Sequence, residues 1–141
     1  MELLVDCTLT ENVAEIICDL DEPGYFSEMK VFVDGVAAKS SSSDGSIWMG
    51  GKTANAMQVD MGTLHKGDGC RAQAYIALLD DSAFYYAFST KTGSPYSTRS
   101  DKTTKLSQTQ LFEKFILAIK NGVVPFGAGT RVRLYGRRVV E

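Results

Sequence analysis

The sequence predicts a mainly β protein, an antiparallel β-sandwich of about seven strands over residues 1–92 with a helix and a short terminal strand behind it. Apolar and polar residues alternate with a period of two through most of the first ninety residues. Clusters of Gly, Pro, Asp and Ser interrupt that alternation about every ten residues, at the spacing of sandwich turns. Nothing between these segments can serve as a helical crossover, so the strands are expected to pair antiparallel rather than form an α/β sheet.

In the first strand Leu3, Val5, Cys7 and Leu9 share a face, with Asp6 and Thr8 opposite. Ala14, Ile16, Cys18 and Leu20 repeat the pattern until Asp21-Glu22-Pro23-Gly24 breaks it. Met29, Val31 and Val33 make a third strand. Asp34-Gly35 tolerates the positive φ of a tight turn, so Val36 to Lys39 is expected to fold back as a hairpin partner. Four serines and Asp44-Gly45 then form a loop, after which Ile47 to Met49 and Met57, Val59 and Met61 give two more strands. Cys70, Ala72, Ala74 and Ile76 alternate with Arg71, Gln73 and Tyr75, and Phe84, Tyr86 and Phe88 with Tyr85, Ala87 and Ser89. Because aromatic rings occupy both faces of that last strand, Tyr85 is expected outside the core and available to a partner.

Residues 91–107 carry little apolar content and read as a linker or extended arm, dividing the chain into a sandwich (1–92), an arm (93–107) and a docking segment (108–141). A helix is expected next. Ser107 and Gln110 have capping-box spacing, Phe112, Phe115, Ile116 and Ile119 make an apolar stripe, and Asn121-Gly122 supplies a stop. A helix this short needs its stripe packed on the sandwich or on another chain. Val132 to Val140 then forms a short strand with a basic face.

Residues 1–92 resemble the immunoglobulin and fibronectin type III superfamily, through the paired opening strands, Val33-Asp34-Gly35-Val36, and Leu64-His65-Lys66-Gly67-Asp68-Gly69 leading into Cys70-Arg71-Ala72-Gln73-Ala74-Tyr75. The resemblance would place Cys18 and Cys70 where immunoglobulin domains carry a bridged pair. The family tryptophan is missing from its usual place, since Trp48 lies thirty residues beyond Cys18. An odd cysteine count and an N-terminus without a basic leader favour three thiols packed as small apolar groups.

Composition leaves little for catalysis. The one histidine, His65, sits in a presumed turn, where its imidazole would be exposed and unoriented. Three widely spaced cysteines and one histidine do not make a zinc site, and Asp80-Asp81 reads as a solvated turn rather than a calcium loop. Gly45 to Thr53 approaches a phosphate-binding loop but has Ser46 where the pattern requires glycine, so its glycines are read as a hairpin presenting Trp48. No catalytic, cofactor or metal residue is therefore expected.

The formal net charge of -2 conceals a split: residues 1–90 hold 14 acids against 5 bases, residues 91–141 hold 3 acids against 10 bases. Arg131, Arg133, Arg137 and Arg138 cluster at the end, with Arg131, Arg133 and Tyr135 alternating on one face. Such a tail either docks on an acidic partner or lies on its own acidic domain. The acidic body disfavours nucleic acid. No apolar run is long enough for a helical membrane span.

Residues Pro125 to Gly136 also resemble the terminal strand of some tailed-phage virion and tail-associated proteins, in which an Ala-Gly-[Ser/Thr] turn leads into a strand ending Leu-Tyr-Gly. This implies a non-enzymatic virion component, a capsid decoration or tail-associated protein made in the host cytoplasm. It would dock on capsid or tail proteins through Arg131, Arg133, Tyr135, Arg137 and Arg138 and be present in many copies. The alternative is a module that binds a host-surface glycan through Trp48 and Tyr85.

Overall fold

The computed structural model describes residues 1–38, 45–50, 57–65, 69–91, 97–120 and 125–140. Ten strands run in chain order: β1 (Glu2–Thr8), β2 (Glu15–Gly24), β3 (Phe26–Val36), β4 (Gly45–Gly50), β5 (Met57–Leu64), β6 (Gly69–Leu78), β7 (Ala83–Lys91), β8 (Ser97–Thr104), β9 (Phe112–Lys120) and β10 (Arg131–Arg138). They form a six-stranded sheet, β1-β10-β3-β6-β7-β8, and a four-stranded sheet, β2-β9-β4-β5, with every pair antiparallel. The expected sandwich is present, with more strands than predicted and in a strand order that threads the C-terminal segments through both sheets.

The core lies between the sheets. From the larger sheet come Met29, Val31, Val33, Ala72, Ala74, Ile76, Val132 and Leu134, and from the smaller Ile47, Met49, Val59, Met61, Phe115 and Leu117, all buried. β5 of the smaller sheet contacts β6 and β7 of the larger, and Val59 and Met61 share one buried cluster with Ala72, Ala74, Ala83 and Ala87.

Several expectations are corrected. Residues 112–120 form β9, a central strand between β2 and β4, and no helix occurs among the described residues. The run Phe115-Ile116-Leu117-Ala118 is buried on both faces, with Ile116 and Ala118 packed beside Trp48. A short continuous apolar run fits a central strand as well as a helix, and here the β-sheet partners decide. Ser107 and Gln110 form a turn, the Gln110 N–H donating to the Ser107 carbonyl at 3.3 Å, rather than a helix cap. Asn121-Gly122 lies outside the described residues.

The presumed arm contains β8, paired along its length with β7. Asp34-Gly35 makes no hairpin: β3 continues through it, and Gly35 pairs with Cys70 of β6. A Cβ on Gly35 would lie 2.8 Å from the Cys70 Sγ and 3.2 Å from the Leu64 Cδ1, so glycine is needed there for close packing and not for a turn. Asp21 to Gly24 likewise stays within β2, where the register with β9 shifts. Residues 45–50 are strand β4, a backbone unlike a phosphate loop.

The terminal segment is tied to the rest of the sandwich from several sides. Phe126, fully buried, bridges Val13 and Ala37. Gly129 takes φ +93° in the turn before β10, a conformation favourable to glycine. Its N–H donates to the Leu9 carbonyl at 2.8 Å. The buried Thr130 hydroxyl accepts from the Val36 N–H at 3.0 Å and donates to the Val36 carbonyl at 3.3 Å.

Candidate interaction surface on the six-stranded sheet

Strand parity decides what the larger sheet shows to solvent. On β10, Val132, Leu134 and Gly136 face the core, which turns Arg131, Arg133, Tyr135 and Arg137 outward together, as the alternation predicted. Lys30 and Phe32 of β3, Gln73 and Tyr75 of β6 and Phe84, Tyr86 and Phe88 of β7 share that outer face. Register places Tyr135, Lys30, Tyr75 and Tyr86 in one cross-strand row and Arg133, Phe32, Gln73 and Phe88 in the next. Each row crosses four strands, roughly 14 Å at sheet spacing.

Within these rows rings and cations pack on one another. Phe32 and Tyr135 meet edge to face with centroids 5.9 Å apart, Arg133 lies 5.3 Å from the Phe32 centroid, and Lys30 lies 5.9 Å from that of Tyr75. Tyr86 and Phe88 are 6.1 Å apart. A shallow groove of about 440 Å³ runs over the sheet beside Phe32, Asp34, Arg71, Gln73, Phe88 and Arg133. A hollow of about 130 Å³ adjoins it at Lys30, Tyr75 and Tyr86. Planar apolar surface flanked by cations and one amide supports stacking, cation–π contact and hydrogen bonding. Among the described residues that line the groove, no nucleophile is paired with a general base.

Ion pairs border the rows. Arg131 donates from Nε and Nη2 to the two carboxylate oxygens of Asp6, each at 3.0 Å. This hydrogen bonding holds the Asp6 carboxyl below its ordinary range. Glu28 accepts from the Tyr75 hydroxyl and, at 2.7 Å, from Arg137 Nε. Its carboxyl is lowered first by the tyrosine and then by the arginine, while the Tyr75 hydroxyl is raised by the same bond. Arg71 and Asp34 approach to 3.6 Å at the exposed end. Among the described residues Arg133 and Lys30 make no ion pair.

Arg138 breaks with the other arginines at the register shift that ends β10. It lies 5.0 Å from the Phe26 centroid and donates to Glu2 Oε1 at 2.6 Å and to the Glu22 carbonyl at 2.7 Å, linking β10 to both β1 and β2. Arg131, Arg137 and Arg138 are thus paired with carboxylates of their own chain. The terminal basic cluster is a set of internal ties, with only Arg133 turned over an aromatic ring on the outer face.

Trp48 and Tyr85 do not come together. Trp48 lies half-buried on the outer face of the four-stranded sheet, against Ile116 and Ala118. Tyr85, expected outside, is 4 % exposed within the core, its hydroxyl accepting from the Asp60 N–H at 3.2 Å across the sheets. The small side chains of Ala83 and Ala87 on the same face leave room for this ring, whereas Phe84 and Tyr86 are 56 % and 43 % exposed. Sequence reasoning did not single out Phe32, Tyr75, Tyr86 and Phe88 as partner-binding residues. Their signal was parity: large aromatics at positions where a half-buried strand ordinarily carries polar groups.

His65 follows β5 on the connection from the four-stranded to the six-stranded sheet, whose residues 66–68 lie outside those described. No cluster of metal-binding side chains occurs among the described residues. The three thiols are unbridged, and Cys70, pushed up to about 12 by burial, lies on β6 beside Gly35.

No family model and no curated protein matches the chain. Among solved structures it is similar to the core of Drosophila NLP, described for pentamer formation and histone binding, at 11% identity and TM-score 0.40, covering 96% of this chain and 97% of that one. It is also similar to the VIP36 exoplasmic/lumenal domain in its Ca²⁺/Man3GlcNAc-bound form, at 8% identity, TM-score 0.41 and coverage of 98% and 80%. A third is Scytalido-glutamic peptidase with a peptide-based transition state analogue, at 14% identity, TM-score 0.37 and coverage of 87% and 74%. At these values no role is carried over from them.

Proposed function

We propose that this chain is a non-enzymatic assembly component, the virion accessory role expected from its sequence, and that it meets a partner protein through the outward face of the six-stranded sheet. The two cross-strand rows of aromatic and cationic residues support this reading most strongly. They set large rings side by side on the outer face of a hydrogen-bonded sheet, as protein interfaces do. Arg133 and Lys30 favour a partner that is acidic as well as apolar. A protruding basic tail is no longer needed to explain docking, because β10 presents its outward residues from inside the sheet.

Particles purified from the source culture and treated with an amine-reactive cross-linker test this reading. The expected result is that the chain is present and that Lys30 is linked to a second polypeptide. Absence of the chain from particles, or links arising only from the four-stranded sheet, would overturn it.

A glycan is the second reading, favoured by the groove, where Phe32 and Phe88 flank the amide of Gln73 and the charges of Asp34 and Arg71. Glycan-array binding that is lost in Gln73→Ala and retained in Trp48→Ala would establish it. Absence of signal from the wild-type protein would exclude it for the sugars on the array.

A further inference from the structure

Cys7 and Cys18 arrive at one place from opposite sheets. Cys7 lies on β1, an edge strand of the six-stranded sheet, with the inward parity of Val5. Cys18 lies on β2, an edge strand of the four-stranded sheet, with the inward parity of Ile16 and Leu20. The two strands touch along one edge of the sandwich, both side chains pack against the core, and Cys7 lies near enough to Cys18 to act on its ionisation. Both are half-buried, so a small reagent can reach them from that edge, while Cys70 is sealed between the sheets.

We propose that Cys7 and Cys18 are a redox site that closes into a disulfide with an oxidised disulfide donor, reversibly stapling the two sheets at their shared edge. In the first step one protein thiol, as thiolate, attacks a sulfur of oxidised glutathione, forming a mixed disulfide and expelling one glutathione thiolate. The second protein thiol then attacks the protein sulfur of that mixed disulfide, forming the Cys7–Cys18 bond and expelling the second glutathione. Two protein thiols are oxidised, one donor disulfide is reduced, and the two protons leave on the two glutathione thiols. The pair differs from the Cys18–Cys70 bridge that the immunoglobulin resemblance implied, because strand order places β1 and not β6 beside β2. The proposal is independent of the interaction surface on the other side of the sheet.

Burial, with Cys7 as neighbour, pushes the Cys18 thiol up to about 11. The reaction is therefore expected to be slow at neutral pH and to accelerate as pH rises, because little thiolate is available below that value.

The full chain incubated with oxidised glutathione, alkylated and analysed by intact mass and non-reducing peptide mapping tests the assignment. The expected product is a monomer lighter by two hydrogen atoms, with a Cys7–Cys18 linked peptide and Cys70 still alkylated after denaturation. Its melting temperature should rise by about 10 °C and return on addition of dithiothreitol, the effect of closing a short loop in a chain of this size. Cys7→Ser and Cys18→Ser should each abolish the linked peptide and the rise. If either serine variant folds poorly, peptide mapping of the wild type decides alone. A persistent mixed disulfide, a bridge involving Cys70, a covalent dimer, or oxidation without a change in melting temperature would overturn the proposal.

Discussion

Ending the chain after Lys91 should destroy the fold, although sequence reading alone expected residues 1–92 to form a self-sufficient sandwich. The truncation removes β9 from the middle of the four-stranded sheet and β10 from between β1 and β3. It also deletes the buried side chains of Leu106, Phe112, Phe115, Ile116, Leu117, Phe126, Val132 and Leu134. At roughly 1.5–3 kcal/mol for each such side chain, the loss is on the order of 12–24 kcal/mol before any hydrogen bond is counted. Net stabilities of domains are about 5–15 kcal/mol, so the fragment falls below zero. β1 and β2 would each lose their ladder partner, leaving two isolated strands. Circular dichroism and urea unfolding of residues 1–91 beside the full chain provide the assay. The fragment should show no cooperative transition. A cooperative unfolding curve with a midpoint near that of the full protein would refute the reasoning and restore the terminal segments as an appendage.

Smaller perturbations probe the same architecture. Thr130→Val keeps side-chain shape but removes the hydroxyl that satisfies the Val36 N–H, so urea unfolding should show a loss of about 1–3 kcal/mol; a change within error would show that water takes its place. The Asp6 and Glu28 carboxyls are lowered in the folded state, so their stabilisation is present above the unfolded carboxylate values near pH 4 and is lost as pH falls through the lower folded values. Asp6→Asn combined with Glu28→Gln should flatten the fall in melting temperature below about pH 5, and an unchanged acid limb would contradict that assignment. Tyr86→Ala, on the outward face, should leave the urea midpoint within about 0.5 kcal/mol of wild type while abolishing the cross-link from Lys30 to the partner. Loss of folding in that variant would mean the face serves stability instead.

Much of the sandwich was legible because period-two alternation survives wherever one face of a strand is solvated. β6 and β10 were read with the correct inward residues for that reason; on β1 Val5 and Cys7 were, whereas Leu3 is exposed and Leu4 packs on the core, because the register with β10 shifts between Leu3 and Val5. β9 was not, because Ile116 and Ala118 are covered on the outer face of their sheet by Trp48 and so erase the alternation that distinguishes a strand from a helix. β7 was read with its faces confused: four aromatics in five positions give parity no handle, and the small Ala83 and Ala87 on either side of Tyr85 mark the buried face. Asp34-Gly35 carried a turn signal that tertiary packing overrode, since the same glycine is what admits the Cys70 sulfur. The basic cluster was visible as charge. Its use was not, because pairing Arg131 with Asp6 and Arg138 with Glu2 depends on β10 lying next to β1, a contact between the two ends of the chain.

Amide hydrogen exchange along β10 tests most directly whether the C-terminal segment belongs to the sandwich. If Val132, Leu134 and Tyr135 sit in ladders with both β1 and β3, their amides should exchange only through global unfolding, as slowly as those of Val31 and Ala74. Exchange of the β10 amides within seconds, while those of β3 and β6 stay protected, would contradict the account and return the arginines to a free docking tail.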